Sequence, residues 1–139
     1  MNIANTTLTI STRGKGLYPF TRAVEDWLSK QNVSQGLLTV FIQHTSCSLV
    51  VQENADPDVP LDLRDFFERL VPESGEGYRH TAEGPDDMTS HIRTTLTHTS
   101  ICIPVMSGSL ALGTWQGLYV FEHRARPHQR LVVLQFMGE

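Results

Sequence analysis

The chain has 139 residues, a formal net charge of −4 and 19% charged residues. A chain of this length is expected to form one domain, residues 1–139, that folds without a disulfide or a structural metal. The acidic balance and the lack of a basic run argue against nucleic-acid binding driven by phosphate neutralisation. No apolar run reaches the ~20 residues of a membrane span, so no membrane contact is expected.

The N-terminal stretch MNIANTTLTI is polar and lacks the basic and apolar regions of a signal peptide. We therefore expect a cytoplasmic protein. In that compartment Cys47 and Cys102, which both lie in apolar stretches, are expected to be reduced core thiols.

The first half of the predicted fold alternates strands and helices. Period-two alternation predicts a strand at 6–13, and apolar residues at helical spacing then predict a helix that begins near Pro19. Two apolar strands follow at 37–43 and 46–52. A second helix begins near Pro60.

The second half begins with a long loop at 73–85, of a length that is often functional. Asp86 or Asp87 caps a third helix, whose core face is expected to carry Met88 and Ile92. Four more strands close the chain, at 99–105, 110–112, 117–124 and 130–137. This order predicts an α+β fold: a mainly antiparallel twisted sheet, or a two-layer β-sandwich, with about three helices packed on it.

Three stretches carry more titratable groups than a fold requires. They are HTSCSLVVQENADPD (44–58), YRHTAEGPDDMTSH (78–91) and GTWQGLYVFEHR (113–124). The first stretch alone places one imidazole, three carboxylates and two carboxamides at the two ends of a short strand. We expect the three stretches to converge on one polar site that binds a metal or a phosphate.

The second stretch contains the pattern most typical of a metal site. Asp87 and His91 are four residues apart on a helix and therefore share a face. His80 lies in the preceding loop, which can fold back across the helix. Two neutral histidines with carboxylates are common ligands of zinc or another divalent ion. The alternative is a helix capped by Asp86 with solvated histidines, since the spacing matches no tight zinc motif.

The first stretch allows two interpretations at each of its ends. His44 and Thr45 can present an imidazole and a hydroxyl to a ligand, or the histidine can merely pin a turn between strands. Glu53, Asn54 and Asp58 are oxygen donors suited to magnesium or calcium. Asp58 can instead cap the helix that follows.

The third stretch places Gln116 between two glycines, which permit close approach of the backbone to a ligand. Trp115 is more typical of a core or an interface than of a stacking platform. Glu122, His123 and Arg124 bring a carboxylate, an imidazole and a cation to the end of a strand. The alternative is an ordinary polar strand end, especially for His123.

Together these three motifs resemble the signature segments of the YjbQ-like family, also named secondary thiamine-phosphate synthases, and the resemblance runs essentially end to end. It implies a compact α+β fold of β-sandwich character that assembles as a homotrimer. It also implies a site whose members are His44, Glu53, Asn54, Asp58, His80, Asp87, His91, Gln116 and Glu122.

The family activity joins a hydroxymethylpyrimidine diphosphate to a thiazole phosphate. The hypothesis is therefore a metal-dependent transferase with weak thiamine-phosphate synthase activity, with zinc or magnesium as the metal. Arg124 or Arg79, with a helix N-terminus, can hold phosphate oxygens of a small phosphorylated metabolite. Two alternatives use the same groups: a non-catalytic module that binds a metal or phosphometabolite, and a metal-assisted phosphate hydrolase.

The roles expected under this hypothesis divide into three sets. Metal ligands are His44, His80 and His91. Catalytic residues are His44, Glu53, Asp58, Asp87 and His91. Substrate-binding residues are Thr45, Asn54, Gln116, Glu122 and Arg124.

Overall fold

The computed structural model describes residues 1–73 and 77–139, which form three helices and eight strands. The helices are α1 (Thr21–Ser29), α2 (Asp58–Leu70) and α3 (Asp87–Leu96). The strands are β1 (Asn2–Thr12), β2 (Gly16–Pro19), β3 (Gly36–Ile42), β4 (Cys47–Glu53), β5 (Ser100–Met106), β6 (Ser109–Leu110), β7 (Gln116–Glu122) and β8 (His128–Gly138). None of the described helices is long and apolar enough to cross a membrane.

The strands form two sheets that share one hydrophobic core. A five-stranded sheet has the order β1-β8-β3-β5-β6, and a three-stranded sheet has the order β2-β7-β4. Every pair of neighbouring strands within these two sheets is antiparallel. The core joins side chains of both sheets, for example Leu38 and Leu134 from the first with Leu49 and Val120 from the second. The predicted α+β class with mainly antiparallel sheets is therefore confirmed.

The three-stranded sheet is covered on both faces. Its central strand, β7, is buried at every position after Gln116. Val120 belongs to the core cluster, whereas Phe121 packs edge-on against Phe67 of α2 at 5.2 Å between ring centroids. This burial on both faces explains why β7 reads as a continuous apolar run rather than as an alternating one.

The outer face of the five-stranded sheet carries no charged side chain on the four described strands β1, β8, β3 and β5. Alternation along each strand points one set of residues outward. These are Ile3, Asn5, Thr7, Thr9 and Ser11 on β1, Leu37, Thr39 and Phe41 on β3, Ser100, Cys102, Pro104 and Met106 on β5, and Gln129, Leu131, Val133, Gln135 and Met137 on β8. We call this surface the uncharged sheet face.

The third helix differs from its prediction in what it buries. Its fully buried residues are Asp87, Thr89, Ser90 and Arg93, whereas the expected core residues of this helix are only half-buried. The side chain of Arg93 is 1% exposed and donates to the carbonyl of Val71 at 2.7 Å and to a Glu68 carboxylate oxygen at 3.3 Å. The helix is thus held by polar contacts to the end of α2.

Other predictions need correction. The sequence does not predict the strand β2, because two glycines close together, Gly14 and Gly16, are typical of a turn. Both glycines have positive φ, and the strand begins at the second of them. Cys102 is not a core thiol: it points outward from β5 and is exposed, whereas Cys47 is buried. Of the predicted loop 73–85, residues 77–85 contain no helix or strand, and 74–76 lie outside the described residues.

Candidate functional site

Four side chains at the start of α3 form a cluster suited to a metal ion. His80, Glu83, Asp87 and His91 each offer one ligand atom, and these atoms lie within 4.8 Å of one another. Asp87 is the centre of the cluster, because its Oδ2 contacts His80 Nε2 at 2.6 Å and His91 Nε2 at 3.0 Å. His80 Nε2 also lies 3.3 Å from a Glu83 carboxylate oxygen.

Local geometry places these groups together. Asp87 and His91 occupy the same face of α3 one turn apart, as predicted. His80 and Glu83 come from the loop that leads into the helix. The ring of His91 is fixed from behind, because its Nδ1 contacts the main-chain carbonyl of Thr45 at 2.7 Å. A carbonyl can only accept, so Nδ1 carries the hydrogen and Nε2 faces the cluster.

The donor set fits a divalent metal ion. Hydrogens on the two Nε2 atoms would both point to one carboxylate oxygen of Asp87 in the metal-free protein. A divalent cation can replace those two hydrogens and take both Nε2 atoms as ligands. The hydrogen bond from His91 to a backbone carbonyl is the arrangement that commonly orients metal-binding histidines. Two imidazoles with carboxylates favour zinc or a related transition metal.

The charges within the cluster shift the pKa values of its members. The hydrogen bond to Asp87 raises the pKa of His80, and the negative charges of Asp87 and Glu83 add to this effect. Burial alone would raise the pKa of Asp87. The hydrogen bond from His80 and the charges of His91 and Arg124 outweigh burial, so that the pKa of Asp87 lies below its usual value.

Arg124 binds three oxygens at and beside this cluster, including one of the Asp87 carboxylate. Its Nε donates to Asp86 Oδ2 at 3.2 Å, its Nη1 donates to Asp87, and its Nη2 donates to the carbonyl of Glu83 at 3.1 Å. Asp86 therefore does not cap the helix: its side chain accepts from Arg124 and from the main-chain N–H of Ala125. The predicted substrate-binding arginine thus directs its three nitrogens to protein oxygens.

Glu122 is the centre of a second, buried network. Its Oε1 accepts from Arg130 Nε at 2.7 Å and from the Thr12 hydroxyl, while its Oε2 accepts from Arg130 Nη2 and from the main-chain N–H of His123. The carboxylate is fully buried. Its two oxygens are thus occupied by protein donors, and the structure places Glu122 behind the surface rather than on it.

His123 is not an ordinary polar strand end. It is fully buried, and its Nε2 lies 2.9 Å from the hydroxyl of Ser48 on β4. Burial lowers the pKa of His123 to about 3, with smaller contributions from the charges of Arg93 and Arg130. The imidazole is therefore neutral at physiological pH and has a structural position.

His44 is not part of the cluster of candidate metal ligands that His80, Glu83, Asp87 and His91 form. Its Nε2 accepts a hydrogen bond from the main-chain N–H of Leu131 at 2.8 Å, and Arg130 Nη1 approaches its Nδ1 within 3.4 Å. Burial lowers the pKa of His44, and the charge of Arg130 lowers it further. The adjacent Thr45 reaches the cluster through its carbonyl rather than its hydroxyl.

The remaining predicted site residues lie at the opposite end of the molecule. In the β4–β7 pair Cys47 faces Glu122, whereas Glu53 faces Gln116. These two positions are six residues apart along each strand, which corresponds to roughly 20 Å. Within one chain, therefore, the first and third stretches reach the cluster only at one end, through Thr45 and Arg124, and their other ends lie far from it.

This far end is held by its own hydrogen bonds. Asn54 N donates to the carbonyl of Trp115 at 3.0 Å, and Gln116 accepts from the N–H of Gly113 through its side chain at 2.8 Å. Glu53 accepts from two main-chain N–H groups of the turn that leads to Asp58 at the start of α2. Trp115 is 62% exposed and is not part of the core of the described chain.

Three residues that contact the predicted site residues are not predicted from the sequence: Glu83, Arg130 and Thr12. Glu83 lies three residues after His80, a spacing that signals a shared site only once the loop is known to turn back. Arg130 and Thr12 contact Glu122 from β8 and β1, which belong to the other sheet. No pattern in the sequence indicates this contact between sheets.

Comparison with known proteins agrees with the motifs. The family described as UPF0047 protein YjbQ-like matches residues 6–139. A UPF0047 protein of Synechocystis sp. is 54% identical over 132 residues, which cover 95% of this chain and 90% of that protein. The UPF0047 protein YjbQ of Escherichia coli O157:H7 is 41% identical over 134 residues, which cover 96% of each chain.

Solved structures share the fold over nearly the full length. A crystal structure of an uncharacterised conserved protein of the yjbq/upf0047 family from Clostridium acetobutylicum has a TM-score of 0.87 and 32% identity, and covers 95% of this chain and 99% of that one. A YbjQ-like protein of unknown function from Sulfolobus solfataricus has a TM-score of 0.90 at 20% identity, with 99% of each chain covered. The resemblance of the three motifs is thus confirmed, and the chain belongs to the UPF0047 YjbQ-like family.

Proposed function

We propose that this chain is a metal-dependent transferase with weak thiamine-phosphate synthase activity, which joins a hydroxymethylpyrimidine diphosphate to a thiazole phosphate and releases pyrophosphate. The observation that supports metal dependence is the cluster of His80, Glu83, Asp87 and His91. The choice of reaction comes from the family resemblance. Its diphosphate leaving group has oxygens that a divalent ion can hold as the bond to carbon breaks.

The chain's own groups have distinct tasks in this proposal. His80 and His91 supply nitrogen ligands, and Asp87 with Glu83 supplies oxygen ligands. Zinc suits this set better than magnesium, which prefers oxygen ligands only. When bound, the ion supplies positive charge that stabilises the departing pyrophosphate. Arg124 is a positioning residue, because it aligns Asp87 with the two histidines.

A cavity of about 620 Å³ beside the cluster supports entry of a small metabolite at this position. It is lined by Glu83 and Asp86 from the loop and helix start, and by Arg124, Ala125 and Arg126 from the segment after β7. The cavity and the cluster therefore share Glu83. Arg126 is exposed there, beside the carboxylates of Glu73, Glu83 and Asp86, and can contact a phosphate oxygen of the substrate.

The test begins with metal content, measured by elemental mass spectrometry on the native protein, His80→Ala and His91→Ala. We expect close to one zinc per chain in the native protein and its loss in both variants. His98→Ala, which alters an exposed histidine outside the cluster, should retain the metal. Retention of the metal by His91→Ala would contradict the proposed site.

The second step measures thiamine phosphate from both substrates in the presence of metal. Native protein should form product above the level of His91→Ala. No excess over that variant would refute the transferase. Phosphate release from a broad panel of esters would then favour a hydrolase, and ligand binding without turnover would favour a binding module.

We also propose that the chain assembles as a homotrimer through the uncharged sheet face. The exposed face of a sheet in a monomeric protein usually carries charged side chains. Large exposed patches without charge mark contact surfaces. This face combines Leu37, Phe41, Leu131 and Met137, which are all exposed in the single chain.

We further propose a cytoplasmic location. The two free thiols fit that compartment, where cysteines remain reduced.

A further inference from the structure

The metal cluster leaves His44 and Ser46 without a role, although both line a second cavity. This cavity has a volume of about 460 Å³ and is formed by residues 41–46 together with Thr99. It opens beside the end of β3, and Thr45 connects its wall to the metal cluster through the contact with His91. The lining contains no carboxylate, so a negatively charged ligand is not repelled by its walls.

The tautomer of His44 follows from its contact with the backbone. The main-chain N–H of Leu131 donates to Nε2, which must therefore be the nitrogen without a hydrogen. Burial and the Arg130 charge keep the pKa of His44 low, so the ring is neutral. A neutral imidazole has one N–H group. The hydrogen is consequently on Nδ1.

This assignment makes the approach of Arg130 to His44 a meeting of two donors. Arg130 Nη1 lies 3.4 Å from Nδ1, and a guanidinium nitrogen can only donate. The Arg130 side chain is 5% exposed and is fixed by Glu122, which takes Nε and Nη2 but not Nη1. Among the described residues, no oxygen accepts from either Nδ1 of His44 or Nη1 of Arg130. An acceptor atom that contacts both groups would satisfy both donors.

Ser46 adds a third donor. Its Oγ accepts from Arg130 Nη2 at 3.0 Å, which directs its lone pair toward the guanidinium. Its own hydrogen is not given to any oxygen of the described residues. His44 and Ser46 line the cavity and both contact Arg130, so the three side chains bring three N–H or O–H groups close together beside it. Such a set is complementary to an oxyanion with several acceptor oxygens.

We propose that the cavity at His44 binds a phosphate group of the substrate, with His44 Nδ1, Ser46 Oγ and Arg130 Nη1 as donors. The choice of phosphate rests on the proposed function, in which both substrates are phosphorylated. Thr45, which lines the subsite, contacts His91, whereas Glu83 of the same cluster lines the first cavity. The two cavities then hold different parts of one reacting pair, and the metal cluster lies between them.

The test uses inorganic phosphate and pyrophosphate with full-length protein in the presence of a chelator, so that metal-mediated binding does not contribute. Binding is followed by amide chemical shifts and by calorimetry at constant ionic strength. We expect the amide signals of Thr45, Ser46 and Leu131 to shift together. The ring nitrogens of His44 should show the tautomer with hydrogen on Nδ1.

Two substitutions at position 44 distinguish loss of the Nδ1 donor from a general disturbance of the local structure. His44→Gln places an oxygen near the former Nε2, which keeps an acceptor for the Leu131 N–H but removes the donor at Nδ1. His44→Asn places an N–H donor near the former Nδ1. A hydrogen bond to a charged group predicts that His44→Gln binds phosphate about tenfold to a hundredfold more weakly. His44→Asn should retain more of the affinity than His44→Gln.

Equal affinity of native protein and His44→Gln would overturn the subsite. So would shifts confined to Ala82, Gly84 and Arg126 in the other cavity, or a hydrogen on Nε2 of His44. These outcomes are independent of the metal measurement on His80 and His91 variants. The anion subsite can thus fail while the metal site stands, and the reverse is equally visible.

Discussion

Glu122 and Arg130 form a bidentate ion pair in the interior of the molecule, with Arg130 Nε 2.7 Å from one carboxylate oxygen and Nη2 on the other. Removing one partner of a buried pair leaves the other charge uncompensated. Glu122→Gln should therefore lower the free energy of unfolding by about 3 kcal/mol. Urea denaturation measures this change. Glu25→Gln, on the exposed face of α1, should change it by less than ~0.5 kcal/mol.

A loss below ~1 kcal/mol in Glu122→Gln would show that Arg130 finds solvent or another acceptor without Glu122. Arg130→Met in the Glu122→Gln background provides a second check. Removing the second partner as well leaves no uncompensated buried charge. The double variant should accordingly be more stable than Glu122→Gln alone.

The sequence predicts the elements of this fold better than it predicts the site. Strands such as β3 and helices such as α1 follow from local periodicity, which is encoded within a few residues. The position of Glu53 relative to Glu122 depends instead on strand register, since both flank the β4–β7 pair at opposite ends. Register is set by the whole sheet and by turns that the local pattern does not specify.

Within the site, the sequence could predict contacts along one helix but not contacts between sheets. Asp87 and His91 meet because helical geometry fixes side chains four residues apart. The role of Arg130 depends on β8 lying opposite β7 across the core, and nothing near Arg130 in the chain indicates Glu122. The burial of polar residues on α3 was unpredicted for the same reason: Arg93 is satisfied by the carbonyl of Val71, from the end of another helix.

Protonation of His123 should make stability depend on pH in mildly acidic solution. Its pKa is about 3 in the folded chain and about 6.5 when unfolded, so between these values the unfolded state binds the extra proton. Stability due to this group is present above the unfolded pKa and falls as pH decreases toward 3. The slope can reach about 1.4 kcal/mol per pH unit.

His123→Gln keeps a donor for Ser48 and removes this titration. Between pH 6 and 5, where carboxylates with lowered pKa values remain ionised, the native protein should lose stability more steeply than the variant. Urea titrations at both pH values give the two slopes. Equal slopes would indicate that His123 takes up its proton without unfolding.

Asp87→Asn should lower the pKa of His80 toward its ordinary value in metal-free protein. The hydrogen bond to Asp87 is the main cause of the raised pKa. The stabilisation from this pair is fully present below the ordinary histidine pKa and is lost as pH rises through the raised one. NMR titration of the His80 ring measures the shift. Glu83→Gln should have a smaller effect, because Glu83 contributes less to the raised pKa.

The same substitution should weaken metal binding. Carboxylates that hold or bind metal-ligating histidines contribute about tenfold to a hundredfold in metal affinity. Zinc competition with a chromophoric chelator, at a pH above the His80 pKa, compares native protein with Asp87→Asn. Unchanged affinity, together with a lowered His80 pKa, would mean that Asp87 pairs with the histidines but has no part in binding the ion.

Phe41→Asp should dissociate the assembly if the uncharged sheet face is the contact between copies. Phe41 is 45% exposed in the single chain, so a carboxylate there disturbs the monomer little but would be buried in a trimer. Light scattering should change from the mass of three chains to that of one. Leu61→Asp is the matched control, because Leu61 is 46% exposed but lies on α2.

Thiol labelling gives an independent measure of the same surface. Cys102 points outward from β5 on the uncharged sheet face and pairs in register with Thr39, two residues from Phe41. It should be protected in the native assembly and react quickly in Phe41→Asp. Cys47 should stay unreactive in both, since burial raises its pKa to about 12. Rapid labelling of Cys102 in native protein of trimeric mass would place the contact between copies on another face, with the edge strands or α2 as the next surfaces to test.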